Sequence, residues 1–140
     1  SLRSWKHFFT NGTIIGADKL SKNLFEDNSI QTFLCDYSRE YSVEELWKKE
    51  QLKEDFDIII INTDNNNISE KIMFFEKSHF KIRPGGVFII ENIKIHFVDF
   101  YQQQLEKWRN EFLSFSFRLF KIPNKKNNYD NRICIIQRLW

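Results

Sequence analysis

Phe56-Asp57-Ile58-Ile59-Ile60-Ile61-Asn62 and Arg83-Pro84-Gly85-Gly86-Val87-Phe88-Ile89-Ile90-Glu91-Asn92 decide the fold, and about one helix length separates them. Both runs are continuously apolar, the pattern of a strand covered on both faces. Both also end in polar side chains. In an open parallel sheet ligands bind beyond the carboxyl ends of the strands, so Asn62, Thr63, Asp64, Asn65, Glu91 and Asn92 mark a candidate site.

Outward from these runs, the chain alternates strands with helices. Leu2, Trp5, Phe8 and Phe9 recur at helical spacing, and that helix stops near Thr10-Asn11-Gly12. Thr13 to Ala17 predicts a short buried strand delivering Asp18 to its end, and Leu20, Leu24 and Phe25 a brief helix. Ile30 to Cys35 predicts the next strand, which ends on Asp36. Ser42 followed by Glu45 has the spacing of a capping box at a helix start. A helix over 69–80 turns Ile72, Met73, Phe75 and Phe80 inward, and Pro84-Gly85-Gly86 turns the chain into the next strand. Residues 97–112 carry Phe97, Phe100, Tyr101, Leu105, Trp108 and Phe112 on an amphipathic helix. Two last strands, Ser114 to Phe120 and Asn131 to Gln137, are joined directly and so pair antiparallel. The expected fold is a single α/β domain over residues 1–140, Rossmann-like and doubly wound, with a mostly parallel sheet and a C-terminal antiparallel hairpin.

Bulk properties narrow the partners. With 21 basic and 19 acidic residues the formal charge is +2, too small a field to argue for nucleic acid or an anionic membrane, and beyond Lys121 to Lys126 no basic stripe stands out. No apolar stretch approaches the roughly 20 residues that span a bilayer, and the opening residues lack a signal-peptide core. Cys35 and Cys134 both have apolar neighbours, as buried free thiols do. These features are those of a cytoplasmic protein. Fifteen Phe and four Trp among 140 residues predict a core dense in rings.

Asp18 occupies the position from which a carboxylate accepts hydrogen bonds from two ribose hydroxyls, although a turn or cap residue fits there equally well. Asp36 ends the neighbouring strand. With these, the segments Ser1-Leu2-Arg3-Ser4-Trp5-Lys6-His7-Phe8-Phe9, Ile14-Ile15-Gly16-Ala17-Asp18, Phe33-Leu34-Cys35-Asp36, Phe56 to Ile60 and Arg83 to Glu91 resemble the class I S-adenosylmethionine-dependent methyltransferases, nearest to the macrocin-type sugar O-methyltransferases. The resemblance covers nearly the whole chain. It implies S-adenosylmethionine as cofactor, with Asp18 on the ribose, Asp36 and Tyr37 flanking the adenine, and Ser1 and Leu2 directly after the glycine-rich loop that holds the methionine end. It implies a sugar hydroxyl of a glycan or glycosylated metabolite as acceptor.

The chain departs from that pattern in two places. The family's glycine loop and first strand have no counterpart among its four glycines, Gly12, Gly16, Gly85 and Gly86. The fold is therefore expected to be incomplete at the N-terminus, and an upstream segment or another chain is expected to complete the sheet. Related sugar methyltransferases also hold Mg²⁺ with carboxylates after the fourth and fifth strands and place a histidine base there. Here the corresponding residues are Asn62, Asn65 and Asn92, and Glu91 alone matches as a metal or acceptor-side carboxylate. Asp64, in a rearranged loop, and His96, five residues beyond Glu91, are the substitute catalytic candidates, against the plain alternatives of a turn residue and a solvated loop histidine. Mg²⁺ dependence is thereby weakened. A catalytically silent methyltransferase-like scaffold or stimulatory module is the competing expectation.

Overall fold

In the computed structural model, residues 2–63, 67–123 and 132–140 are described. They form two compact units, Ser1–Lys53 and Glu54–Trp140.

The first unit is built on a parallel pair, β1 (Ile14–Asp18) and β2 (Ile30–Leu34), in which Ile14 lies opposite Ile30 and Asp18 opposite Leu34. Helix α1 (Leu2–Phe8) packs onto β1. A methyl of Leu2 lies against the point that a Cβ on Gly16 would occupy, so the glycine leaves the room that Leu2 fills. In place of the expected helix at Leu20 to Phe25 there is a single 3₁₀ turn, Ser21–Asn23. Helix α2 (Glu40–Trp47) buries Val43 and Leu46. It begins two residues before Ser42, so the capping box is not formed. The Ser42 hydroxyl instead accepts a hydrogen bond from the Asp36 backbone N–H at 2.8 Å. A mid-helix serine is free to serve a neighbouring loop in this way.

The second unit holds a four-stranded sheet in the order β3-β4-β6-β5. Strands β3 (Phe56–Ile61) and β4 (Ile82–Ile93) run parallel; β6 (Arg132–Arg138) is antiparallel to β4 and to β5 (Phe115–Lys121). The hairpin is therefore present, but its last strand lies inside the sheet and β5 takes the edge. Ile59, Phe88, Ile136 and Phe117 stand side by side across all four strands and are all buried. Helices α3 (Ile68–Glu76) and α4 (Val98–Glu111) cover that face with Phe74, Phe75 and Trp108. Ile58 is 36% exposed, and Val87 and Ile89 are half-buried. Within this unit the two runs thus have one covered face, because both helices lie over the same row. Phe80, expected to face inward, is 52% exposed, since α3 ends at Glu76 and a 3₁₀ turn, His79–Lys81, rotates it outward.

Among the described residues β1 pairs only with β2 and β3 only with β4, so each carries a free edge. No described helix is long and apolar enough to cross a membrane. Both cysteines are free and buried. Burial pushes the Cys134 thiol up to about 12, and it raises Cys35 as well despite the Ser42 hydroxyl beside it. Because the thiolate is the reactive form, neither thiol is expected to react with Ellman's reagent in the native protein at about pH 8. Both should react once it is denatured, and a fast-reacting thiol in the native state would contradict this burial.

Candidate cofactor and acceptor sites

In the first unit three sequence candidates gather at one end of a parallel pair. Asp18 closes β1, and its carbonyl accepts from Cys35 N–H at 3.0 Å, so the strand pairing continues to the residue before Asp36. Asp36 and Tyr37 follow at once on the neighbouring chain. The loops after the two strands meet where the Lys19 ammonium lies 5.6 Å from the centre of the Tyr37 ring.

The carboxylates are held in defined orientations by their own loops. One Asp18 oxygen accepts from Leu20 N–H at 2.8 Å and the other from the Asn23 amide at 3.0 Å. Each oxygen retains acceptor capacity, because a carboxylate offers about four lone-pair sites. Asp36 accepts from the Ser38 hydroxyl at 2.6 Å and the Ser38 N–H at 3.2 Å. Those bonds, the hydroxyl above all, hold its carboxyl below the usual range, aided by Arg39 and Lys19. Two fixed anionic acceptors and an aromatic face at parallel strand ends suit a ribose and a base. Leu2 is on β1 through Gly16, as described above; Ser1 lies outside the described residues.

In the second unit the acceptor-side candidates sit on an irregularity of β4. Ile90 is opposite Cys134 and Ile93 opposite Arg132, so Glu91 and Asn92 together face Ile133 alone. That is a β-bulge, the device by which a strand re-aims side chains beside a site. Asn92 takes φ +56°, the left-handed region that asparagine tolerates better than other side-chain-bearing residues. Its side-chain N–H₂ donates to the Asn62 Oδ1 at 2.6 Å, linking the ends of β3 and β4. Glu91 is half-buried with its carboxylate free of partners among the described residues.

His96 lies in a 3₁₀ turn, Ile95–Phe97, exposed and with its ring 4.2 Å from that of Phe97. Asp64 and Asn65 lie outside the described residues. Among those described, no three His, Cys, Asp or Glu side chains come close enough to share a metal ion. Among the described residues Glu91 is then the single carboxylate here, beside an Asn62 Oδ1 that already accepts from Asn92, and these two alone do not supply the several oxygen ligands that a divalent ion takes.

Sequence reading missed Lys71. It is 3% exposed on α3, and its ammonium donates to the Glu91 carbonyl at 2.9 Å and the Asn92 carbonyl at 3.3 Å. Its spacing from Phe74 and Phe75, three and four residues on, places it on the buried face of α3 and was the available signal.

No family model matches the chain. Demethylmacrocin O-methyltransferase of Streptomyces fradiae is 35% identical over 94 residues, 66% of this chain and 22% of that protein. The 8-demethyl-8-alpha-L-rhamnosyl tetracenomycin-C 2'-O-methyltransferase of Streptomyces olivaceus is 26% identical over 103 residues, 73% of this chain and 26% of that one. The chain therefore spans about a quarter of the length of these curated relatives. In three dimensions it resembles the MycE methyltransferase of the mycinamycin biosynthetic pathway, solved with Mg and SAH, with a TM-score of 0.68 at 18% identity over 98% of this chain and 40% of that one. This is a class I methyltransferase fold, close to the macrocin-type enzymes. An rRNA methylase from Streptococcus thermophilus matches less well, with a TM-score of 0.55 at 14% identity, although all of this chain and 98% of that one are covered. Nearness to the macrocin type thus rests on sequence, and the methyltransferase fold on the structures.

Proposed function

We propose that this chain is part of an S-adenosylmethionine-dependent O-methyltransferase that methylates a sugar hydroxyl of a glycan or glycosylated small molecule. The observation that carries this reading is the convergence of Asp18, Asp36 and Tyr37 at the carboxyl ends of parallel β1 and β2. Asp18 would hold the ribose hydroxyls, and Asp36 with Tyr37 the adenine; Ser1 and Leu2 border the methionine end. The similarity to two O-methyltransferases, one of them named for a rhamnosyl-bearing tetracenomycin, supports a sugar acceptor. The free edges of β1 and β3 support a further strand pairing there.

When bound, S-adenosylmethionine supplies a methyl group already activated on a sulfonium. With such a donor, holding the acceptor hydroxyl in line with the methyl group would supply much of the rate. Glu91 would take the proton that the hydroxyl gives up, with Asp64 and His96 as the other acceptor-side groups. No step is assigned to Mg²⁺.

Calorimetric titration of the whole protein with S-adenosylmethionine tests the reading. Asp18→Ala is expected to weaken binding at least about tenfold, the loss of a charge-assisted hydrogen bond or more. Asp18→Asn keeps an acceptor for Leu20 N–H and should lie between the two. An unbound wild type, or equal affinity in all three, would sink the proposal. Binding without methyl transfer to any glycan acceptor would instead point to the silent module, for which the Asn62–Asn92 bond is the structural argument.

A further inference from the structure

We propose that Lys71 is the positioning residue of the acceptor side, clamping the Glu91–Asn92 bulge so that Glu91 and Asn92 are presented at the carboxyl end of β4. This rests on the reading of Glu91 as an acceptor-side group. Successive carbonyls of an extended strand point to opposite sides, so one ammonium cannot ordinarily serve two in a row. Here it does, donating to both Glu91 and Asn92, because Asn92 at φ +56° turns its carbonyl back. The same turn brings the Asn92 side chain to Asn62 on β3. One buried cation thus fixes the bulge, the direction of Glu91 and the bridge between two strand ends.

Stability alone does not call for a lysine at this position. The side chain lies beside a small recess also lined by Ile68, Asn92, Ile93, Lys94, Phe97 and Tyr101, mostly apolar side chains among which methionine or leucine would be cheaper to bury than an ammonium. What the ammonium adds is two donors aimed at the carbonyls of two residues that have no one-to-one partner in the β6 register. The backbone on the other side of those bonds belongs to the matching carboxylate and its asparagine neighbour.

The test uses the whole protein, ¹⁵N-labelled, with Lys71→Met and Lys71→Arg. In the wild type the Asn92 side-chain amide should show a hydrogen-bonded shift and slow exchange. Lys71→Met is expected to move that shift toward free asparagine and speed exchange about tenfold, and Lys71→Arg to retain most of the wild-type signature. Unchanged Asn92 signals in Lys71→Met, or a Lys71→Arg spectrum identical to it, would overturn the clamp. Should Lys71→Met not fold, trans-hydrogen-bond couplings from the wild-type ¹⁵Nζ to the carbonyl carbons of Glu91 and Asn92 decide the matter: their presence supports the clamp and their absence refutes it. Calorimetry with S-adenosylmethionine, expected to differ less than about twofold among the three proteins, keeps the two proposals apart. A wild type without cofactor affinity removes the enzymatic reading and leaves the clamp to be judged by the amide signals.

Discussion

Phe75→Ala should lower the stability of the second unit by about 3–5 kcal/mol, the range for emptying a core of an aromatic ring. Phe75 is fully buried, and its ring centre lies 4.5 Å from that of Trp108, 5.2 Å from Phe88 and 5.5 Å from Phe112, with Phe115 and Phe117 near 6 Å. It is the place where α3, α4 and two strands, β4 and β5, share one contact. Its neighbours are held by other bonds: Trp108 Nε1 donates to Glu76 at 2.9 Å and Arg109 to the Phe117 carbonyl at 3.0 Å. They cannot collapse readily into the space, which puts the cost toward the upper end of the range. Urea denaturation should show a lower midpoint with an unchanged slope. Phe80→Ala, at a half-exposed ring five residues away, should cost under about 1 kcal/mol. Equal effects at the two positions would mean that Phe75 is not the centre of this core.

The second large effect is expected at Gly86. The ladder between β3 and β4 passes from Phe56–Ile82 to Ile58–Val87, so Arg83 to Gly86 form an excursion from the strand. Arg83 closes it by pairing with Asp57. A Cβ on Gly86 would meet the Asp57 carbonyl oxygen at 2.9 Å, the Ile82 Cγ2 at 2.9 Å and the Arg83 carbonyl oxygen at 3.0 Å. Two of the three are backbone atoms, which cannot rotate away. Gly86→Ala is therefore expected to cost about 2–3 kcal/mol through forced backbone shifts. Gly85 differs: it has open space but φ +81°, so Gly85→Ala should cost only the roughly 1–2 kcal/mol of a left-handed alanine. Chemical denaturation of both variants checks the order, and a Gly85→Ala protein less stable than Gly86→Ala would contradict this account of the excursion.

Much of this fold was legible in the chain, for identifiable reasons. The two apolar runs are strands as expected, paired in parallel up to Ile61 and Ile90, because few other conformations satisfy the backbone of so apolar a segment. Helix α4 at Val98–Glu111 follows its spacing of Tyr101, Leu105 and Trp108. Shorter elements were less legible. Leu20 to Phe25 has too few periodic positions to tell one 3₁₀ turn from a helix, and Ser42 with Glu45 matches a cap whose hydroxyl was wanted elsewhere, by Asp36. For the candidate site, Asp18, Asp36, Tyr37, Glu91 and Asn92 could be named because each follows an apolar run, but their partners could not.

By itself the sequence determined the order of the strands and longer helices, the residues at the strand ends and the resemblance to macrocin-type methyltransferases, because these depend on local composition and spacing. The tertiary structure alone decided that β6 enters the sheet beside β4, that Glu91 and Asn92 bulge against Ile133, and that a lysine one helix away satisfies their carbonyls. A bulge is a mismatch in count between two strands, so it exists only once they are paired. A buried ammonium is likewise tolerable only when distant backbone atoms arrive to accept its hydrogen bonds.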